Sequence, residues 1–118
     1  MNNSEFYIHQ IKERLSKLDT YLVVLFGSYA YGIPDKDSDL DLLVVTNSTE
    51  MPKTYKQKMD LYMYVSQQIL DIQKEIPIDL LVFTIPMYDK FVALQSSFSK
   101  EIIKKGVLIY EANHTAMA

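Results

Sequence analysis

The sequence predicts an α/β fold, a mixed central sheet of about four strands flanked by helices, and three observations predict it. First, Tyr21–Phe26 and Asp39–Thr46 are apolar runs rich in β-formers, joined by a connection short enough to favour antiparallel pairing. Second, the chain between Asp39 and Phe83 reads strand, long helix, strand. Such a crossover joins parallel neighbours and is normally right-handed. Third, apolar residues at helical spacing occupy both ends of the chain.

Each element follows in order. Ile8, Ile11, Leu15 and Leu18 recur at spacings of three, four and three, which marks an amphipathic helix over Glu5–Leu18 with Asn3 or Ser4 as its cap. His9 lies beside that face and reads as a partly exposed helix residue. Tyr21–Phe26 is a buried strand ended by Gly27. Ser28–Tyr31 begins a short helical turn, which Gly32 and Pro34 break. In Asp39–Thr46, period two puts Asp39, Asp41, Leu43 and Val45 on one face and Leu40, Leu42 and Val44 on the other. Both faces are apolar beyond the acids, so this strand is central and covered on both sides. Met59, Tyr62, Val65, Ile69, Ile72 and Ile76 predict one long helix over Lys53–Glu75, with Met59 and Tyr62 in the core. Lys53, Lys56 and Lys58 in its first turns oppose the helix dipole and read as a solvated face. Pro77 ends it. Ile78–Phe83 is the third strand, Pro86–Leu94 and Ser97–Lys105 are helices, Gly106 is a stop, Val107–Tyr110 is the last strand, and Glu111–Ala118 is a frayed tail.

The 118 residues fit one domain, and 48% hydrophobic with 23% charged residues suffices for a core. A net charge of −3 argues against general nucleic-acid binding. The chain has no cysteine, hence no disulfide and no thiolate metal site. With no signal-peptide pattern and no apolar stretch of the ~20 residues a membrane helix needs, a cytoplasmic setting without membrane contact is expected.

Topology gathers the chemistry. Parallel strands start at the same end of a sheet, so Asp39 and Asp41 at the start of one and Asp79 at the start of the other converge if the strands are neighbours about 4.8 Å apart. The antiparallel first strand ends there as well, at Gly27-Ser28. Three carboxylates side by side protonate or take up cations. Hard oxygen ligands suit Mg²⁺ or Mn²⁺, and Asp39 and Asp41, about 6.6 Å apart along a strand, can bridge two ions about 3.5–4 Å apart. The Gly27 and Ser28 amides and the Ser28 hydroxyl can receive a phosphate oxygen, with Gly27 allowing close approach. These parts suit attack of a hydroxyl on the α-phosphorus of a nucleoside triphosphate. Asp79, or a water near it, takes the proton.

At these residues the sequence resembles the polymerase-β-like nucleotidyltransferase superfamily in its smallest form, the minimal nucleotidyltransferases of the MntA type. Gly27-Ser28, then Asp39 and Asp41 after ten residues, and Asp79 on a following strand match the family pattern. Ala30, Gly32, Ser38–Val44 and the ending Gly106–Glu111 match as well, so the resemblance covers nearly the whole chain. It departs at Tyr31, where many members carry a basic residue. Lys36 or the Lys53, Lys56 and Lys58 group would then have to substitute in holding a triphosphate. The resemblance implies ATP as substrate, two Mg²⁺ or Mn²⁺ ions, and a helical HEPN protein as partner in a toxin–antitoxin pair, with AMP passed to a partner tyrosine. Without a second domain to grip an acceptor, a protein partner or self-association is expected. Two alternatives stand beside transfer to a partner: an antitoxin acting by contact alone, and transfer to a small molecule.

Overall fold

The computed structural model describes residues 4–32, 34 and 39–112. Its elements are α1 (Ser4–Ser16), β1 (Thr20–Phe26), α2 (Gly27–Tyr31), β2 (Leu40–Thr46), α3 (Tyr55–Ser66), a 3₁₀ turn (Gln67–Ile69), α4 (Leu70–Gln73), β3 (Ile78–Phe83), α5 (Ile85–Ala93), α6 (Ser97–Lys105) and β4 (Val107–Glu111). The four strands form one sheet in the order β3-β2-β1-β4. β2 runs parallel to β3 and antiparallel to β1, and β4 is antiparallel to β1. The sheet is therefore mixed, as expected, and the crossover joins neighbouring strands.

Period two sends alternate side chains into two apolar layers. On one face Val23, Leu25, Leu42, Val44, Leu80 and Val82 meet Ile11 and Leu15 of α1 and Val65, Ile69 and Ile72 of the α3–α4 segment. On the other, Leu22, Phe26, Leu43 and Val45 meet Ile102 of α6, with Phe83 and Phe91 packed beside them. Aromatic rings extend that second layer: Phe26 to Phe98 at 5.6 Å, Phe98 to Phe91 at 5.8 Å and Phe91 to Phe83 at 5.2 Å between centroids. Their edge-on and tilted contacts suit ring quadrupoles. Every β2 residue from Leu42 to Val45 is fully buried, as a doubly covered central strand requires.

The structure corrects several expectations. The single helix over Lys53–Glu75 is two helices. A capping box at Thr54, whose hydroxyl accepts from the Gln57 amide while Gln57 Oε1 accepts from the Thr54 amide, starts α3 at Tyr55 and leaves Lys53 outside it. The segment then tightens at Gln67–Ile69, with Ile69 at φ −125°. Val65, Ile69 and Ile72 keep their buried side through the break, so spacing alone does not reveal it. Met59 is exposed rather than core. The last strand extends to Glu111, which pairs with Leu22. Residues 113–118 of the expected tail, Asn3 as cap, Ser38 and Lys36 lie outside the described residues; Ser4 is the first residue of α1. Among the described residues no helix is long and apolar enough to cross a membrane.

Candidate active site

Strand direction brings one end of the sheet into focus. There β1 finishes, β2 and β3 begin, and β4 starts opposite Leu25. Register fixes the acids. Asp41 stands directly opposite Phe26 on its antiparallel side and beside Asp79 on its parallel side. Asp39 precedes β2 by one residue, and the pleat gives it the same face as Asp41. Leu43, Leu81 and Phe83 follow these acids at even spacing and belong to the α5–α6 layer, so the carboxylates stand at the rim of that layer.

Gly27 locks this corner. Its φ of +75° lies in the left-handed region, where a side chain is strained. Its missing Cβ also makes room: a Cβ there would strike Asp41 Oδ2 and lie 2.9 Å from Asp41 Cγ. Glycine thus lets the bend pack flat against the carboxylate. α2 begins here without a side-chain cap, and its first amides keep the donor capacity of a helix start. Gly32 ends α2 at φ +77°, its N–H returning to the Ser28 carbonyl.

Asp41 is partly buried, and its carboxyl is raised above the usual carboxylate range. Burial is the leading cause; the charges of Asp79 and then Asp39 add to it. Asp79 and Asp39 therefore act electrostatically on Asp41. Asp39 and Asp79 are themselves exposed. Among the described residues no group of three or more His, Cys, Asp or Glu side chains is placed to hold a metal ion as it stands. The donor set nonetheless fits divalent cations. It consists of hard oxygen donors of like charge, Asp41 and Asp79 at paired register positions and Asp39 two residues before Asp41, with Asp39 and Asp79 exposed and Asp41 packed into the room that the missing Gly27 Cβ leaves.

Tyr31 closes the site on its α6 side. It follows Gly27 by one helical turn. Its hydroxyl oxygen is covered from solvent and makes no hydrogen bond of good geometry. Burial raises the phenol; the Gly27 backbone works the other way, and Glu101 and Asp41 add to the rise. Lys105 places its ammonium 5.6 Å from the centre of the Tyr31 ring. Neither Glu101 nor Lys105 is marked as a site residue by sequence spacing. Basic residues in a helix's last turn are ordinary there, since they suit its dipole.

Of the lysines expected to substitute for a basic residue at position 31, Lys36 lies outside the described residues, and the other three are elsewhere. α3 starts from the far end of β2, so Lys53, Lys56 and Lys58 belong to the opposite end of the sheet, and Lys56 pairs with Asp60 at 3.0 Å. A surface hollow of about 650 Å³ lies at that far end, lined in part by Met51, Lys53, Tyr64 and Thr84. Volume and chemistry separate here. The facing carboxylates and the glycine bend are at the other end, and chemistry depends on those groups rather than on room.

Residues 9–115 match the family described as Polymerase beta, Nucleotidyltransferase. A relative from Methanocaldococcus jannaschii, provisionally named a protein adenylyltransferase, is 35% identical over 106 residues, spanning 85% of this chain and 95% of its own length. Among solved structures, a provisionally named nucleotidyltransferase from Sulfolobus solfataricus superposes with a TM-score of 0.57 at 21% identity, over 93% of this chain and 85% of that one. A toxin–antitoxin complex with AMP-PNP gives 0.56 at 18% identity, over 93% and 77%. These two likenesses carry the fold.

Proposed function

From the premise that this chain belongs to the polymerase beta nucleotidyltransferase family, and is therefore a transferase, we propose that it moves AMP from ATP to a hydroxyl of a protein partner. The acceptor is a tyrosine of a HEPN-type toxin for which this chain is the antitoxin. One observation carries the site assignment: Asp41 stands in register with Asp79 while its carboxylate abuts the Gly27 bend. The protein adenylyltransferase name of the relative supports a protein acceptor, and the toxin–antitoxin neighbour with AMP-PNP supports a toxin partner and a nucleotide substrate.

Roles follow from position. Asp39, Asp41 and Asp79 would together hold the divalent ions. Two Mg²⁺ or Mn²⁺ ions held there would supply charge neutralisation at the phosphates and acidify the acceptor hydroxyl. The Gly27 and Ser28 amides receive a phosphate oxygen. The acceptor oxygen forms a bond to the α-phosphorus as the bond to the bridging oxygen of the β-phosphate breaks. The hydroxyl proton passes to Asp79 or to a water beside it, and pyrophosphate leaves with the electron pair.

The test mixes the protein with labelled ATP, Mg²⁺ and the product of the adjacent reading frame. Label on a partner tyrosine, absent with Asp41→Asn and with Asp79→Asn, is the expected result. A partner that stays unlabelled yet is neutralised would mean that the chain acts by contact alone.

A further inference from the structure

Among the described residues, the site end of the sheet is short of positive charge. Asp39, Asp41 and Asp79 stand there, Glu101 faces the same phenol that Asp41 does, and a triphosphate adds more negative charge. The candidate cations differ in where they are held. Lys53, Lys56 and Lys58 are at the opposite end. Arg14 is engaged by both oxygens of Asp71 and by the Gln68 carbonyl. Lys74 follows α4, in the layer that covers the other face of the sheet.

Lys105 is held at the right place. It is the last residue of α6, and the chain beyond it is pinned. Gly106 lies so close to the Ile102 carbonyl and to Val24 that a Cβ would not fit, at 2.7 Å from Val24 Cγ1. Val107 then pairs with Leu25, one residue before Phe26. The Lys105 ammonium lies over the face of Tyr31, whose ring quadrupole attracts it. Tyr31 stands one turn after Gly27, and its hydroxyl neighbours the Gly27 backbone. The ammonium is thus tethered at Tyr31, in the helix that starts at the Gly27 bend proposed to receive phosphate.

We infer that Lys105, held over the Tyr31 ring, is the side chain that takes the terminal phosphates of the nucleotide, and that Tyr31 is its positioning residue. The inference rests on the nucleotidyltransferase site proposed above and adds one positive charge to it. Tyr31 contributes its ring rather than its hydroxyl. A flexible lysine tethered by a ring face can swing from ring to phosphate without leaving the site, as a compact point charge does.

The test is calorimetric titration of the full chain, with Mg²⁺, against a non-hydrolysable ATP analogue and separately against AMP. Lys105→Met keeps the apolar stem and removes the charge. It is expected to weaken analogue binding about tenfold and AMP binding less than about twofold, the loss of one charge-assisted contact to phosphate. Lys105→Arg should stay within about threefold of the parent, Tyr31→Phe likewise, and Tyr31→Leu should match Lys105→Met. Equal losses for AMP and the analogue, or unchanged binding in Lys105→Met, overturn the inference and leave the proposed site standing. A parent protein that binds neither nucleotide overturns the proposed site itself.

Discussion

Adding one methyl group at Gly27 tests the architecture of the site corner, because a second glycine serves as a control. Gly27 and Gly32 have nearly the same φ, +75° and +77°, but a Cβ at Gly27 strikes the Asp41 carboxylate while a Cβ at Gly32 meets nothing within 4 Å. The shared backbone strain of a left-handed alanine is about 1–2 kcal/mol. Gly27→Ala adds overpacking of roughly 1–3 kcal/mol, since Asp41 Cβ itself would lie 3.2 Å from the new methyl and a short side chain cannot swing clear. Gly32→Ala should therefore cost about 1–2 kcal/mol and Gly27→Ala roughly 2–5 kcal/mol. At about 4 °C per kcal/mol for a domain of this size, the melting temperature falls by roughly 8–20 °C for Gly27→Ala. Urea and thermal unfolding of both variants measure this. Equal destabilisation of the two, or a Gly27→Ala cost within about 0.5 kcal/mol of the parent, would refute the close packing of bend against carboxylate.

Three more outcomes follow from the structure. Asp41 has a folded-state pKa above its unfolded value, so its charge opposes folding at neutral pH and that penalty disappears as pH falls through the folded pKa; metal-free Asp41→Asn should melt higher than the parent at pH 7, and Mg²⁺ or Mn²⁺ should raise the melting temperature of the parent more than that of the variant. Thr54→Ala removes the capping box of α3 and should cost about 1 kcal/mol in urea unfolding, with no change in Mn²⁺ affinity at the other end of the sheet. Arg14 holds the Asp71 carboxyl down to about 2, so that contribution is present above the unfolded value near 3.8 and is lost as pH falls towards 2; Asp71→Asn should flatten acid unfolding in that window, and less so in high salt because the pair is exposed.

What the sequence made legible were the features carried by direction and period. Asp79 could be set beside Asp41 because a strand–helix–strand crossover joins parallel neighbours whose starts share one end, and the register bears this out residue for residue. The buried run of β2 was legible because both of its alternating faces are apolar. The break at Gln67–Ile69 was hidden, since Val65, Ile69 and Ile72 stay on one side through the 3₁₀ turn. Met59 was misread because it shares the spacing of buried residues while standing exposed. Lys105 was hidden for a different reason. Its importance comes from the meeting of α6 with Tyr31 of α2, a contact across 74 positions that no local pattern encodes.

The central claim is that divalent metal binds where β2 and β3 begin. Paramagnetic broadening of backbone amide signals by substoichiometric Mn²⁺ measures that directly. The expected result is loss of the Gly27, Ser28, Asp41 and Asp79 amide signals first, with Thr46, Lys53 and Thr84 at the far end of the sheet unaffected, and loss of the whole effect in Asp41→Asn. Broadening centred on Glu50 and Asp60, or a pattern that Asp41→Asn leaves intact, would contradict the assignment.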